Sequence, residues 1–321
     1  MLAQAILAAH PQAQVVEWAL PAWCTTDFST PLSPPAGLCT LAPLDYLFLL
    51  EHAYSNPPLL DRAFAKRVVY IPNIEWITPR DEAVLRSGEI DAVMLKTRHA
   101  MALFQSLPSA AKVSSASVYT GWTSADLGEG VKERAQLSFL HVAGSSPQKG
   151  SKAVIEAWLS EPEYPMLTVT SYGSNPIELN FPLYASRNLV FRLALLSTEQ
   201  VRHLQYRSAV HLCPSAAEGF GHSINEARSA AAVLVTTGAP PMNEFVEDGW
   251  NGFLVPVRPE NRRPYRLSTA YHATPEDIRG VIQKTLAMSR EERLQMGLRA
   301  RAAYADERDG FMRRIAKFLD S

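Results

Sequence analysis

Short apolar runs alternate along the chain with longer segments in which apolar and polar residues are mixed. Uninterrupted apolar runs are typical of strands buried on both faces, whereas the longer segments have the apolar spacing of helices. The first part of the chain is predicted to form strands at 45–50, 66–71, 91–95 and 117–119, and the second part strands at 137–142, 166–170, 189–193, 209–213 and 233–235. This alternation predicts an α/β fold with parallel, doubly wound sheets.

A polar segment that contains glycines separates the two series of strands. We interpret this segment, 126–134, as the linker between two domains. A chain of 321 residues is long enough for two domains of ordinary size. The prediction is therefore a first domain at 1–130 and a second at 137–305.

One predicted strand of the second domain runs into a glycine loop and then into a segment of helical composition. Gly219 and Gly221 bracket Phe220, so the backbone can adopt positive φ angles and approach a ligand closely. Ser223 and Glu226 have the spacing of a capping box, which predicts that a helix begins just after the glycines. A helix N-terminus behind a glycine turn offers N–H groups to an anion or to a hydroxyl-rich ligand.

Further candidates follow the predicted strands of the first domain. Ligands of parallel sheets bind beyond the carboxyl ends of the strands, so polar and small residues at those positions are candidates by position alone. These residues are Glu51, His52, Asn73, Glu75, Lys96 and Gly121.

The central motif resembles that of a known family. Glu218 and Glu226, eight positions apart around Gly-Phe-Gly, closely resemble the E-x7-E signature of the retaining glycosyltransferases of family 4. Gly238, Glu244 and the sequence at 246–255 follow in the same order as in that family. The resemblance is strong over 137–256 and weaker before it.

The resemblance implies the GT-B architecture, in which two Rossmann-like domains face each other across a cleft. It also implies that a C-terminal helix, at 306–321, packs back toward the first domain. The strand and glycine-rich loop that open the family's first domain have no counterpart here. Either the first domain lacks its opening strand, or the sequence starts within the domain.

The resemblance also implies a donor site for a nucleotide-diphosphate sugar. Glu226 would accept hydrogen bonds from the ribose and Glu218 from the sugar, because a carboxylate accepts from two hydroxyls at once. In the family loop that resembles 141–150, an arginine and a lysine hold the phosphates. Lys149 matches the lysine, whereas Ser145 stands at the usual place of the arginine. The implied donor-binding residues are Gly144, Ser145, Lys149, Gly173, Glu218, Gly219, Phe220, Gly221 and Glu226.

The family often places a histidine in the cleft of the first domain, after the strand equivalent to 68–71. The corresponding loop of this chain has Asn73 and Glu75 instead, and His52 follows one strand earlier. These three residues are alternative candidates near the reacting centre, and Trp122 is a further acceptor-side candidate. The predicted catalytic residues are Glu218, Lys149, Asn73 and Glu75.

Composition and charge limit the classes of partner, cofactor and location that we expect for the protein. A formal net charge of −1 and a pI near 6.7 argue against a basic field over the whole protein that would bind nucleic acid. The three cysteines, Cys24, Cys39 and Cys213, have no metal-binding or disulfide spacing. No apolar stretch spans a membrane and no signal peptide is evident, so we expect a cytoplasmic protein and leave peripheral membrane attachment open. No Asp-x-Asp pair occurs, so we expect neither a metal ion nor another cofactor. The resemblance implies a UDP- or GDP-linked sugar as donor.

The sequence therefore predicts a retaining, metal-independent hexosyltransferase that acts on a hydroxyl acceptor such as a glycan or a lipid-linked glycan. One alternative is transfer to a modified nucleic-acid base, with which the arginine-rich segment at 258–273, predicted to be an inserted loop, would make contact. A second alternative is a non-catalytic sugar-nucleotide-binding or partner subunit, because several family features are missing. Oligomeric state is left open.

Overall fold

A computed structural model of the chain describes residues 1–17, 43–53, 63–112, 116–128, 136–172 and 187–321. These residues form two compact units. The first unit comprises Met1–Trp122, Tyr265–Ser268 and Gly310–Ser321. The second comprises Thr123–Pro264 and Thr269–Asp309.

The first unit is built on a parallel sheet of four strands. In chain order and in spatial order these are β1 (Leu44–Glu51), β2 (Ala65–Pro72), β3 (Ala92–Leu95) and β4 (Ser117–Tyr119). The helices are α1 (Leu2–Ala9), α2 (Pro79–Ser87), α3 (Arg98–Gln105) and the end of the long C-terminal helix α8 (Arg290–Leu319). The four strands predicted at 45–50, 66–71, 91–95 and 117–119 are confirmed.

Both faces of this sheet are covered, which explains the uninterrupted apolar run of β2. Val68 and Tyr70 join a core with residues of α2 and α3. Val69 and Ile71 point to the opposite face, because successive side chains of a strand alternate, and they pack with residues of α1 and α8. All four side chains are fully buried. Burying an aliphatic side chain of this size contributes about 1.5 to 3 kcal/mol.

The second unit contains a parallel sheet of six strands. These are β5 (Phe139–Gly144), β6 (Leu167–Ser171), β7 (Leu189–Arg192), β8 (Val210–Cys213), β9 (Val233–Thr237) and β10 (Phe253–Val255). Its helices are α4 (Ser151–Leu159), α5 (Thr198–Arg207), α6 (His222–Ser229), α7 (Pro275–Ala287) and most of α8. The predicted strands of this unit are confirmed within a few residues.

The strand order of the second sheet is that of a Rossmann domain. The order is β10-β9-β8-β5-β6-β7, so the chain winds outward from β5 in one direction and then returns to β8 and winds in the other. β5 and β8 are therefore the neighbouring strands at which the winding direction reverses. The crevice at the carboxyl ends of such a strand pair is where α/β sheets bind ligands.

Trp158 anchors the core on one face of the second sheet. Its ring is fully buried and lies edge-on to Phe139, 4.8 Å away, and to Tyr164, 5.2 Å away, measured between ring centroids. The indole N–H donates to the carbonyl of Pro165 at 3.0 Å, so the polar atom of this large apolar side chain is satisfied.

Capping residues explain where several helices start. The predicted cap of α5 is confirmed as a capping box between Ser197 and Gln200. The predicted capping box between Ser223 and Glu226 is wrong. α6 begins earlier, at His222, because Gly221 adopts a φ of 94° and serves as the N-cap without a side-chain hydrogen bond. The Glu226 side chain therefore does not cap α6.

The segment predicted as the linker begins as a tightly held part of the second unit. Asp126 forms ion pairs with Arg301 at 2.8 Å and with Arg308 at 2.7 Å, both on α8. The hydroxyl of Ser229 accepts from the Leu127 amide at 3.1 Å. The rest of the predicted linker, 129–134, lies outside the described residues.

The arginine-rich segment at 258–273, predicted to be a loop, contains two paired strands, β11 (Arg262–Tyr265) and β12 (Ser268–Tyr271). The amide of Tyr271 donates to the carbonyl of Ala216 at 2.8 Å, so the end of β12 is fixed to the loop that follows β8. Of the helices that the structure describes, none has the length and apolarity that a membrane span requires.

Candidate functional site

Two loops meet at the strand pair where the winding of the second sheet reverses. One follows β5 and ends at Gly150, and the other follows β8 and starts at Pro214. A Cβ atom on Gly150 would lie 2.2 Å from the Pro214 carbonyl oxygen, so only glycine allows this close approach. The amide of Ala216 also donates to the carbonyl of Gln148 at 2.7 Å. The two loops predicted to bind the donor are therefore joined through their backbones.

Lys149 and Glu218 form an ion pair across these loops. The Lys149 Nζ lies 2.6 Å from Oε1 of Glu218, and the two side chains are 20% and 11% exposed. The hydroxyl of Ser215 donates to the same carboxylate oxygen at 2.6 Å. Burial lowers the pKa of Lys149, but the Glu218 carboxylate outweighs this effect, and the net shift of its pKa is upward. The Lys149 ammonium, paired with Glu218, thus lies at the carboxyl edge of the second sheet.

Glu226 lies on α6 behind the glycine loop. Its Oε2 accepts from the Gln205 side-chain amide at 2.7 Å, which fixes the orientation of the carboxylate. Burial raises the pKa of Glu226, and Gln205, Lys149 and Arg202 act in the opposite direction. An oriented carboxylate in a partly desolvated place is suited to accept hydrogen bonds from neighbouring ligand hydroxyls.

The glycine loop ends at the N-terminus of α6. Phe220 is buried and packs edge-on against Phe245, with ring centroids 5.4 Å apart, and against His222 at 5.5 Å. Gly221 then turns the chain into the helix with its positive φ. The first N–H groups of a helix, together with its dipole, stabilise a bound anion.

His141 supports both loops from below, and sequence reasoning did not identify it as a site residue. Its Nδ1 lies 2.7 Å from the Leu212 carbonyl, and its Nε2 lies 2.8 Å from the Ser151 hydroxyl. Burial lowers its pKa to about 4. The neutral ring therefore donates from Nδ1 and accepts at Nε2, and so links β5, β8 and the start of α4. The available signal was a histidine within an otherwise apolar strand.

The remaining donor-side candidates are Gly144, Ser145, Gly219 and Gly173. The carbonyl of Gly144 accepts from the Tyr172 amide at 3.2 Å, and Ser145 is exposed next to it. Gly219 is buried within the glycine loop. Gly173 lies outside the described residues. The structure thus brings together Lys149, Glu218 and the glycine loop, with Glu226 on the helix behind them.

A second polar cluster lies at the carboxyl edge of the first sheet. The Asn73 amide donates to Glu51 Oε1 at 3.1 Å, and the Lys96 ammonium donates to Asn73 Oδ1 at 2.6 Å. The Lys96 Nζ also lies 5.1 Å from the centre of the Trp122 ring. Glu51 is the last residue of β1, and Asn73, Lys96 and Trp122 come after β2, β3 and β4, so the cluster spans the ends of all four strands.

Lys96 is 6% exposed, and burial lowers its pKa to about 8 even though Glu51 and Glu75 favour the charged form. Glu75 is itself 6% exposed. Asn73, Glu75 and Trp122, all predicted as candidates, therefore belong to one cluster. Lys96, which sequence reasoning selected by position alone, lies at its centre.

His52 differs from the other candidates of the first unit. Its Nδ1 lies 3.7 Å from Oδ2 of Asp81, and the Asp81 carboxylate also accepts from the backbone amides of Thr78 and Ala53 at 2.7 Å each. Burial raises the pKa of Asp81, but the bonds from His52, Thr78 and Ala53 outweigh it and lower that pKa. This carboxylate caps α2, so His52 contributes to a capping arrangement.

Comparison with known proteins finds similarity to glycosyltransferases. Residues 136–262 match a protein-family model described as Glycosyl transferases group 1. The GtfA subunit of the UDP-N-acetylglucosamine–peptide N-acetylglucosaminyltransferase of Streptococcus pneumoniae is 34% identical over 107 residues. That alignment covers 33% of this chain and 21% of the length of the relative.

Solved structures resemble most of the chain. The pneumococcal O-GlcNAc transferase GtfA in complex with UDP and GlcNAc has a TM-score of 0.61 at 18% identity, over 89% of this chain and 60% of that one. The Anabaena protein HepE in complex with UDP and glucose has a TM-score of 0.64 at 16% identity, over 89% of this chain and 80% of that one. The predicted GT-B fold class, with two Rossmann-like domains, is confirmed by this likeness.

Proposed function

We propose that the chain is a retaining, metal-independent glycosyltransferase whose donor is a nucleotide-diphosphate sugar. The observation that carries the proposal is the convergence of Lys149, Glu218 and the glycine loop at the reversal point of the second sheet, in the segment that matches the family model. Both solved structures described above contain UDP. A UDP-sugar is therefore the first donor to test, and a GDP-sugar the second.

The proposed donor lies along the two joined loops. The diphosphate meets the Lys149 ammonium and the N–H groups at the start of α6, which together offset the charge that builds up as the sugar–phosphate bond breaks. Glu226 accepts from the ribose hydroxyls and Glu218 from the sugar. In this arrangement the positive charge comes from a side chain and a helix N-terminus, and the proposal requires no divalent ion.

The acceptor is proposed to bind through the polar cluster of the first unit. Asn73, Glu75 and Glu51 offer an amide and two carboxylates, groups that bind hydroxyls, and the Trp122 ring adds an apolar surface. A glycan or lipid-linked glycan fits this chemistry. A cytoplasmic location, with or without peripheral membrane attachment, remains part of the proposal.

Two other functions are each supported by one observation. The exposed side chains of Arg258, Arg262, Arg263 and Arg266 near β11 favour an anionic acceptor such as nucleic acid. Ser145 stands where the family has its phosphate-binding arginine, and Lys149 is already paired with Glu218. This favours a protein that binds a sugar nucleotide without turning it over. The first of these predicts a steep salt dependence of DNA binding, and the second predicts nucleotide binding without product release.

A donor screen tests the proposal. Purified protein is incubated with UDP-, GDP- and ADP-sugars in the presence of EDTA, and release of the nucleotide diphosphate is followed for wild type, Glu226→Ala and Lys149→Met. Release from one donor is expected, with a loss of about a hundredfold in Lys149→Met, because removing one group that stabilises the transition-state charge costs about that much. The anomeric configuration of the product, read by NMR, tests retention.

Lys152→Met is the matched control. Lys152 is three positions from Lys149 but is 79% exposed and lies 3.8 Å from Glu156 on its own helix. Its removal is expected to leave release unchanged. Equal losses in the two lysine variants, or wild-type release that requires a divalent ion, would contradict the proposed donor site.

A further inference from the structure

A fully buried arginine lies behind the glycine loop. Arg228 is on α6 and is 1% exposed. Its Nη1 and Nη2 donate to the two carboxylate oxygens of Glu307 on α8 at 2.8 and 2.9 Å. Nη1 also donates to Oδ1 of Asn225 at 2.7 Å. The guanidinium is therefore fixed in both position and plane, as a two-point contact with a carboxylate requires.

Two chains of contacts lead from this guanidinium to the glycine loop. In the first, Asn225 receives the bond from Arg228 on Oδ1, and its Nδ2 donates to the carbonyl of Gly221 at 3.1 Å. In the second, the guanidinium lies 5.5 Å from the centre of the Phe245 ring, which packs edge-on against Phe220. Both chains end on adjacent residues of the loop.

The first chain sets the direction of a peptide group. The Gly221 carbonyl accepts from both the side-chain and the backbone amide of Asn225, so it points along α6 toward the helix C-terminus. In a trans peptide the C=O and N–H bonds point in opposite directions. The N–H group of His222, in the same peptide, therefore points out of the helix N-terminus.

The Asn225 amide can make this contact in only one of its two flip states. With Oδ1 facing the guanidinium, Nδ2 faces the Gly221 carbonyl; after a flip, an oxygen would face that carbonyl and the NH2 group would face the cation. The Gly221 carbonyl and the Arg228 guanidinium both favour the first state. With a neutral, apolar side chain in place of Arg228, only the Gly221 carbonyl would favour it.

Packing alone does not account for an arginine here. The Arg228 Nε is buried and has no hydrogen-bond partner among the described residues, so even this site leaves one donor unsatisfied. An apolar side chain of similar volume fills such a place without that cost. What the arginine provides, and an apolar side chain would not, is its set of hydrogen bonds to Asn225 and Glu307.

We propose that Arg228 is a positioning residue for anion binding: held by Glu307, it orients Asn225 and Phe245 so that the Phe220–His222 backbone presents its N–H groups to the donor diphosphate. The inference rests on the proposed function for the identity of the anion. It adds a dependence of the donor loop on α8, because Glu307 is 79 positions away from Arg228 in the chain.

The test uses the full chain and compares Arg228→Met, Arg228→Lys and Glu307→Gln with wild type. Two readouts are needed: hydrogen–deuterium exchange of the peptide covering 218–226 without ligand, and affinities for inorganic pyrophosphate and UDP by calorimetry. Arg228→Met is expected to speed exchange in the loop and to weaken pyrophosphate binding about tenfold. Arg228→Lys restores part of the affinity, since a lysine keeps the charge but makes fewer bonds.

Arg279→Met is the matched control, because Arg279 pairs with Glu161 and Glu276 on the same unit without contacting the loop. If Arg228→Met shifts only the melting temperature, while its hydrogen–deuterium exchange and pyrophosphate affinity equal those of the control, the inference is overturned. Should Arg228→Met not fold, Glu307→Gln, altered at a 44% exposed side chain, decides by the same two readouts. Wild type that binds neither probe would overturn the proposed function and this inference together, whereas equal binding by all variants overturns the inference only.

Discussion

The buried lysine of the first unit leads to a quantitative prediction about stability and pH. Lys96 has a pKa of about 8 in the fold against 10.5 for an exposed lysine, because burial penalises its charged form. A difference of one unit corresponds to about 1.4 kcal/mol. The difference here, 10.5 minus 8, makes the charged lysine cost about 3 kcal/mol of folding free energy below pH 8.

The direction of the pH dependence follows from proton counting. Between pH 8 and 10.5 the folded chain has lost the Lys96 proton and the unfolded chain has kept it, so the free energy of unfolding rises with pH across this window. Lys96→Met removes this contribution. The variant is therefore expected to gain most over wild type at neutral pH, and the gain is expected to shrink as the pH approaches 10.5. Loss of the bond to Asn73 reduces the gain at every pH by about 1 kcal/mol.

Denaturant unfolding of wild type and Lys96→Met at a series of pH values measures this effect. Lys66→Met is the matched control: Lys66 lies on β2 of the same sheet but is 61% exposed and pairs with Asp45. The control is expected to follow the wild-type curve. Parallel curves for wild type and Lys96→Met from neutral pH to pH 10.5 would refute the reasoning, since they would mean that Lys96 keeps its ordinary pKa in the fold.

Three further predictions concern the second unit. Gly150→Ala would place a Cβ 2.2 Å from a carbonyl oxygen, and it is expected to weaken UDP binding in calorimetry more than tenfold, whereas Gly280→Ala, with open space around it, is expected to have no effect. Glu226→Gln is expected to preserve or raise the free energy of unfolding at neutral pH, because burial raises the pKa of Glu226 and disfavours its charge. The same variant is expected to weaken UDP binding about tenfold. The UDP affinity of wild type is expected to fall as the pH is lowered and this carboxylate becomes protonated. Glu218→Gln removes the ion pair of Lys149 and is therefore expected to strengthen pyrophosphate binding. It is also expected to weaken the preference for a UDP-sugar over UDP. An unchanged pyrophosphate affinity would contradict this prediction.

Elements and loops that depend on local sequence could be predicted. The strands followed from uninterrupted apolar runs, and the cap of α5 followed from Ser197 and Gln200, because each signal lies within a few residues of the feature that it specifies. The capping box predicted at Ser223 failed for a related reason. Two cap signals compete within three residues, and sequence spacing cannot show that Gly221, at a positive φ, has already started the helix.

Contacts between distant parts of the chain could not be predicted. Arg228 and Glu307 are each ordinary charged residues in helical segments, and nothing local indicates that the arginine is buried and the glutamate is its partner. The same holds for Lys96, whose position after a strand was evident but whose burial depends on residues that follow three other strands. Burial changes the chemistry of a charge, and it is a property of the packed fold.

Lys149 and Lys96, each at the carboxyl edge of its sheet, show how opposite pKa shifts arise from the same residue type. Burial lowers the pKa of both. For Lys149 a carboxylate oxygen at 2.6 Å outweighs burial, and the amine stays charged. Lys96 donates instead to a neutral amide, and its carboxylates do not offset burial, so it titrates at about 8. A permanent charge is suited to holding a diphosphate, whereas an amine that titrates near neutral pH is suited to exchanging a proton with a hydroxyl. The partners of the two lysines thus support the division of roles that we propose, with the donor on the second unit and the acceptor on the first.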